Sequence, residues 1–311
     1  MQSLYLTSNK AKSLTTFLTV LGLIYFNISP AQTNPENPIS QLARKYTIGD
    51  VYRYKLTMDE FHNGNFDHQN VAICELTVVQ DSLGVPYDEV RWIQRKTITQ
   101  KDTIDLTQSA ISVKPFKISL NSKGKIDLPK IDVSDMTEPI QDFITFFIAV
   151  SPIVGISSLQ KINDSFAIKE PVKADFSNGS TILKGEDCIA ISVHLKKIDN
   201  KTASLYTAFL PPSKQCLAYL LPEMSVPVVS DVINNFQMVL QTEPNKYLIQ
   251  YGREFFYINS EIRNSDGKIL SAKMFNQLNL KMKINCDNDY KNCQFEMPFY
   301  EERHLQLELL N

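Results

Sequence analysis

Apolar and polar residues alternate with a period of two along several stretches of this chain. Residues 52–56 read Tyr-Arg-Tyr-Lys-Leu, and residues 189–194 place Ile, Ile and Val between Ala, Ser and His. Successive side chains of a strand point to opposite faces, so this pattern is typical of strands with one buried face. The sequence therefore predicts a mainly β protein.

Turn-forming residues separate the predicted strands. Asn63-Gly64, residues 121–124 and residues 264–267 each lie between apolar-rich runs, as in hairpins. The further strands that we predict are Val71–Val79, Val90–Thr99, Thr103–Val113, Phe116–Leu120, Lys125–Leu128, Ser204–Leu210, Cys216–Leu221, Phe255–Ile258 and Ile269–Ile284. Residues 236–242 fit either a strand or a helix.

One segment, residues 134–150, has a helical pattern instead. Asp135 can cap a helix, Glu138 follows three residues later, and Pro139 suits a first turn. Apolar residues then recur at helical spacing, at Ile140, Phe143, Ile144 and Phe147. The wide apolar face predicts that this helix packs onto a sheet.

The N-terminus has the layout of a secretory signal peptide. Lys10 and Lys12 precede an apolar run from Leu14 to Ile28, and small residues lead to a predicted cleavage after Ala31. The run is short for a membrane span, although an uncleaved anchor is the alternative. The first cysteine is Cys74, so a lipid anchor at the cut is not expected. The mature chain would have no transmembrane segment and would be secreted or periplasmic.

These features divide the chain into a signal peptide (1–31), a flexible leader (32–45), a first β unit (46–133), a helical connection (134–160) and a second β unit (161–311). Short similar stretches in the two halves raise the alternative of two related β units. The predicted fold class is mainly β (α+β), a curved antiparallel sheet or half-barrel with one or two helices packed on its concave face.

Five cysteines fit an exported chain, because disulfides persist outside the cytoplasm. Cys286 and Cys293 bracket a polar, turn-prone hexapeptide between two predicted strands, so we predict a disulfide between them. Cys188 and Cys216 could pair across neighbouring strands, which the sequence does not settle. Cys74 would then remain unpaired and buried.

Several kinds of chemistry have no motif here. The net charge is -2, which does not suit nucleic-acid binding. Nucleophile elbows and phosphate-binding glycine loops are missing from the sequence, so we predict no catalytic residue and no cofactor. His62, Asp67 and His68 could in principle bind a metal, but their spacing is not diagnostic. We interpret them as an exposed polar hairpin tip and predict no metal site.

Four short motifs carry a resemblance to a known group. They are Gly-Asp-x-Tyr-x-Tyr at residues 49–54, Lys-Gly-Lys at 123–125, Asn-Asp-Ser-Phe at 163–166 and Asp-Gly-Lys at 266–268. Together with the helix, they resemble uncharacterised secreted bacterial β-rich proteins, similar in outline to the lipoprotein-carrier and periplasmic lipid-binding group. The resemblance spans about residues 46–285. It implies a curved sheet with helices on its apolar concave side.

The predicted function is that of an exported, non-enzymatic envelope protein that binds a hydrophobic or lipid-like ligand under its sheet. The candidate ligand-cavity residues are Phe143, Phe146, Phe147, Phe255 and Tyr257, for which packing in the core is the alternative. The expected partner is a hydrophobic ligand or an envelope protein. A structural or assembly component without a small ligand is the second hypothesis, and a secreted hydrolase is the third.

Overall fold

The computed structural model describes residues 42–126, 129–169, 173–175, 181–184, 190–210, 217–220, 228–229, 236–288 and 292–310. The predicted signal peptide and most of the predicted leader lie outside these residues. The same holds for Cys188 and Cys216.

The described part of the chain is built mainly from strands. These are β1 (Val51–His62), β2 (Asn65–Gln80), β3 (Pro86–Thr99), β4 (Thr103–Asp105), β5 (Phe116–Ile118), β6 (Ser165–Lys169), β7 (Lys173–Asp175), β8 (Thr181–Lys184), β9 (Ala190–Ile198), β10 (Thr202–Phe209), β11 (Leu217–Leu220), β12 (Val228–Val229), β13 (Phe236–Glu243), β14 (Lys246–Arg263), β15 (Ile269–Cys286) and β16 (Phe295–Leu310). The helices are α1 (Thr107–Ser112) and α2 (Thr137–Ile148), with 3-10 turns at Ser134–Met136, Pro152–Val154 and Ile156–Ser158.

Twelve strands form one open, curved antiparallel sheet, which confirms the predicted fold class. Its order is β4-β3-β2-β1-β16-β15-β14-β10-β9-β6, while β5 pairs with β3 and β13 pairs with β14. The strands β7, β8, β11 and β12 form a second, four-stranded sheet. The first and last long strands, β1 and β16, are neighbours over ten residue pairs. Both halves of the chain therefore belong to one sheet.

Turn residues join the long strands as the sequence indicates. Asn63 and Gly64 both have positive φ, at 50° and 79°, which is the backbone of the type I′ turn favoured in two-residue hairpins. Gly267 also has positive φ, and a Cβ atom there would lie 2.6 Å from the Cα of Arg44. The turn between β14 and β15 can therefore contact the start of the fold only because this residue is glycine.

Helix α2 fills the concave face of the sheet. Ten of its twelve residues are buried. The Phe143 ring makes edge contacts with Tyr54 and Trp92, at 6.1 and 5.6 Å between centroids, and the Thr207 hydroxyl donates to the Ala149 carbonyl oxygen. Burying one such aromatic side chain contributes about 1.5–3 kcal/mol, so α2 holds most of the inner face of the sheet in place.

The strand predicted for Thr103–Val113 is wrong over most of its length. Strand β4 ends at Asp105, and α1 follows. The Asp105 carboxylate accepts the backbone N–H of Thr107, a local turn that competes with strand pairing. Ile111 is exposed and Ala110 is the buried residue of α1. The spacing of apolar residues in this segment therefore indicates neither a strand nor a helix strongly.

The beginning of the described chain is packed against the fold. Leu42 is buried, and the Arg44 guanidinium forms an ion pair with Asp88, 3.4 Å apart. The backbone N–H of Lys45 donates to the Asp266 carbonyl oxygen. Residues 42–45 are thus held by strand β3 and by the turn between β14 and β15.

The disulfide Cys286–Cys293 is present, as predicted. It closes the connection between β15 and β16. Cys74 is buried and has a free thiol, and burial raises its pKa well above the ordinary value, so it is unreactive. None of the described helices is both long and apolar enough to cross a membrane.

Candidate functional site

A row of buried polar side chains crosses the inner face of the sheet, which we name the polar belt. Its members replace apolar residues at inward positions of six neighbouring strands and are completed by two acids of α2. They are Arg95, His68, Asn70, Glu60, Glu301, Arg303, Asn276, Glu254, Glu138 and Asp142. The register places Glu60 beside Arg303 and Arg303 beside Asn276. The belt separates the large core under α2 from a smaller apolar cluster around Phe236, Leu280 and Phe299.

Arg303 is the centre of the polar belt. Its Nη2 atom lies 2.5 Å from Asp142 and 3.2 Å from Glu138, so it binds α2 to β16. Only 1% of the residue is exposed. Burial alone would lower the pKa of Arg303, but the carboxylates of Asp142 and Glu138 raise it above the ordinary value. This side chain is therefore always charged.

The polar belt holds more carboxyl groups than permanent cations. Five acids face two guanidinium groups, those of Arg95 and Arg303. Burial raises the pKa of Glu138 well above its ordinary value, that of Asp142 to about 6 and that of Glu301 to about 7. Ionising all five carboxyl groups together costs free energy, because buried like charges repel.

Two histidines lie between the same two carboxylates at one end of the belt. The Nε2 atom of His62 is 2.5 Å from one oxygen of Glu60, and the Nε2 atom of His68 is 3.5 Å from the other. Asp67 faces the other nitrogen of each ring, 3.9 Å from His62 Nδ1 and 2.7 Å from His68 Nδ1. The hydrogen bond to Glu60 raises the pKa of His62. Against burial, the same bond and the charge of Arg303 lower the pKa of Glu60.

Asn70 fixes the protonation pattern of His68. Its side-chain oxygen accepts the hydroxyl of Thr97 at 2.6 Å, so its amide nitrogen points toward His68 Nε2 at 3.0 Å and Glu138 at 3.1 Å. That nitrogen is a donor, so His68 Nε2 accepts. The His68 ring then carries its proton on Nδ1 and donates it to Asp67.

The hairpin tip is less exposed than the sequence suggests. His68 is 9% exposed and Glu60 3%, whereas Asp67 lies at the surface with 40% of its side chain exposed. The expectation of a wholly exposed polar tip is wrong, because strand β16 and helix α2 cover the inner side of this hairpin.

The structure separates the five predicted cavity residues into two groups. Phe143, Phe146 and Phe147 are buried between α2 and the sheet. Phe255 and Tyr257 lie on the opposite face of the sheet, since Phe256 between them points into the core and Tyr257 is 36% exposed. The five side chains do not line one cavity, and their contact with a ligand stays a prediction.

The space directly beneath α2 holds little room. A void lined by Leu56, Met58, Asn70 and Pro139, among others, has a volume of about 10 Å³, near the minimum for one water molecule. A larger cleft of about 380 Å³ lies toward the ends of β14, β15 and β16. It is lined by Asn63, Tyr251, Gly252, Arg253, Asn279, Leu280, Lys281, Pro298, Phe299 and Tyr300, and we name it the strand-end cleft.

The outer face of the sheet carries a continuous aromatic strip. Its rings come from seven neighbouring strands, with centroids 5.2–6.1 Å apart. In order they are Phe66, Phe61, His304, Phe275, Tyr257, Tyr206 and His194. Such cross-strand pairs stabilise a sheet, and here they also present aromatic surface to the outside.

Comparison with known proteins leaves the function open. No protein family model matches the chain, and no curated protein matches it either. A solved structure described as lipid-protein interactions in lipovitellin is similar over 86% of this chain and 26% of its own, with 13% identity and a TM-score of 0.38. The MucA/MucB complex of Pseudomonas aeruginosa has 10% identity over 84% of this chain and 89% of its own, with a TM-score of 0.16. At these TM-scores, the likeness establishes neither a shared fold nor a shared function.

Sequence reasoning missed the polar belt because its members are spread from residue 60 to residue 303. The alternation of inward and outward positions nevertheless indicated that some charged side chains are buried. In β1 the inward positions Tyr54, Leu56 and Met58 are followed by Glu60, and in β16 Arg303 precedes Leu305 on the same face. A charged residue at an inward position of a predicted strand must find a buried partner.

Proposed function

We propose that this chain is an exported, non-enzymatic protein that binds a hydrophobic, lipid-like ligand with one chain and an acidic head group. The observation that carries the proposal is the strand-end cleft. Its volume of about 380 Å³ is at the small end of the range of about 300–1,000 Å³ typical of small-molecule sites. That size suits a single-chain amphiphile better than a two-chain lipid.

The lining of the cleft suits such a ligand. Tyr251, Leu280 and Phe299 supply buried apolar surface, and the cations Arg253 and Lys281 lie among them. The Lys281 ammonium is 3.2 Å from the Glu296 carboxylate, so Arg253, which is exposed, is the better candidate for contacting an acidic head group. Mixed apolar walls with a few polar groups are usual in ligand sites.

The location proposed here, outside the cytoplasm, is supported by two observations. One is the signal-peptide pattern that ends at Ala31. The other is the Cys286–Cys293 disulfide, since disulfides persist in oxidising compartments.

Binding of a fluorescent long-chain fatty acid to the purified protein tests the proposal. We expect Arg253→Glu to weaken binding about three- to tenfold, because it replaces the cation next to the acidic head by an anion. Arg91→Glu is the matched control, since Arg91 is an exposed arginine of β3, which contributes nothing to the cleft. Equal affinity of the two variants, or no binding by the wild type, would exclude the cleft as the site.

A second candidate function is that of an envelope assembly component, which the aromatic strip favours. Photo-cross-linking from position 257 in intact cells would test it. A single stable protein partner, together with no fatty acid binding, would favour this function over ligand binding.

A further inference from the structure

The group around Glu60 has the composition of a metal site. Ligand atoms of Glu60, His62 and Glu301 all lie within 4.8 Å of one another. In a tetrahedral zinc site with bonds of about 2.0–2.2 Å, ligand atoms lie about 3.3–3.6 Å apart. The His62 Nε2 and Glu60 oxygen atoms, 2.5 Å apart without a metal, would have to separate by about 1 Å to reach that spacing.

Glu301 is the observation that distinguishes this group from an ordinary ion-pair network. The residue is 4% exposed, and the carboxylates of Glu60 and Glu254 act on it together with the charges of Arg303 and His62. Its backbone pairs with that of His62 across β1 and β16. A buried carboxylate beside a second carboxylate needs either a proton or a cation.

A second group, Glu60, His68 and Glu138, has similar spacing, but its ligand atoms are already engaged. The Asn70 amide donates to both His68 Nε2 and Glu138. A metal there would have to displace this amide. In the first group the contact to be displaced, between His62 Nε2 and Glu60, joins two of the ligands themselves, so no third group has to move. The first group is therefore the better site, and His68 and Asp67 act as its supporting shell.

The surroundings of the first group suit a divalent cation. Two carboxylates and one neutral imidazole would neutralise the charge of such an ion, and they would reduce the excess of buried acids in the polar belt. The His62 side chain is 20% exposed, which provides an entry path. Imidazole combined with carboxylates suits Zn²⁺ and similar transition metals better than Ca²⁺ or Mg²⁺, which favour all-oxygen ligands.

We propose that His62 Nε2, Glu60 and Glu301 bind one divalent transition-metal ion, of which Zn²⁺ is the representative, with a fourth position open to water. Glu60 holds the His62 ring through one oxygen, 2.5 Å from Nε2, and Asp67 holds the His68 ring through Nδ1. Asp67 lies on the Nδ1 side of the His62 ring, as the carboxylates behind metal-bound histidines do. This site does not depend on the proposed ligand in the strand-end cleft.

Thermal unfolding of the untagged, chelator-treated full chain with added Zn²⁺ tests the proposal. A ligand present at about 100 times its Kd raises the Tm of a chain of this length by roughly 4–5 °C. Glu301→Gln is expected to abolish this shift while keeping the zinc-free Tm at or above that of the wild type, because it removes a buried charge but hardly changes the shape. This combination separates a lost ligand from a lost fold.

Two further variants complete the experiment. His62→Gln changes a partly exposed residue and is expected to weaken zinc binding by at least about tenfold, since losing a ligand costs no less than losing the group that orients it. The exposed His304→Gln is the matched control and keeps zinc binding. X-ray absorption of the zinc-loaded wild type is expected to show one nitrogen and two carboxylate ligands. No shift in the wild type, an unchanged shift in Glu301→Gln, or an equal shift with Mg²⁺ would overturn the proposal.

Discussion

Arg303→Met tests whether burial determines the strength of an ion pair in this sheet. In the wild type, the Arg303 guanidinium lies 2.5 Å from Asp142 and 3.2 Å from Glu138. Methionine keeps the apolar volume of the side chain but leaves both carboxylates without their cation. Breaking a buried pair by removing one partner costs about 3–5 kcal/mol. We expect the free energy of unfolding to fall by that amount.

Arg53→Met is the matched control on the outer face. Arg53 contacts Glu75 at 2.8 Å, a distance close to that of the Arg303 pair, but 56% of the Arg53 side chain is exposed. Exposed pairs contribute roughly 0.2–1 kcal/mol in measured cases. The two substitutions remove the same charge from neighbouring strands, so the difference between them measures the effect of burial.

Urea unfolding followed by tryptophan fluorescence provides the assay. Trp92 is the single tryptophan of the chain, is 1% exposed and lies against Phe143 of α2, so it reports on the core directly. The triple variant Arg303→Met, Glu138→Gln, Asp142→Asn is expected to regain most of the loss, because it leaves no unpaired charge. A loss below about 1 kcal/mol in Arg303→Met, or a triple variant no more stable than the single one, would refute the reasoning.

Two further predictions concern the core and pH. Phe143→Ala is expected to cost about 3–5 kcal/mol in the same urea assay, because the fully buried ring contacts Tyr54 and Trp92; a loss under about 1 kcal/mol would show that α2 is not part of the rigid core. Burial raises the pKa of Asp88, with Arg44 opposing it, so the folded state holds this proton more tightly than the unfolded state, and the stabilising effect is lost as pH rises from about 4, the ordinary aspartate value. The Tm of the wild type should therefore fall relative to that of Asp88→Asn between pH 4 and 8, and a constant difference would contradict this account.

The periodicity of the sequence predicts most of the fold because inward positions are apolar along most of each strand. Residues 52–56 lie in β1, and the helix predicted at 134–150 appears as a 3-10 turn followed by α2. The Cys286–Cys293 disulfide follows from a turn-prone segment between two strands. Where the pattern is weak, as at Thr107–Ser112, a local hydrogen bond decides the structure instead.

The candidate site could not be predicted in the same way. Its residues meet only because β1 and β16 pair across about 240 positions of sequence, and no local pattern encodes that register. The cluster at residues 255–257 illustrates a related error, since three adjacent aromatic residues look like one surface but alternate between the two faces of β14. Short-range patterns indicate which face a residue occupies, whereas the neighbours on that face depend on strand order.

The position of the last strand affects when this protein can fold. Strand β16 pairs with β1 on one side and β15 on the other, so the middle of the sheet is completed only after residues 295–310 have been made. Until then, β1 has one exposed edge and α2 has an unfinished surface to cover. Such late, long-range pairing slows folding. For a chain that is exported as we propose, slow folding keeps it unfolded during translocation and delays the formation of the native sheet until β16 has crossed the membrane.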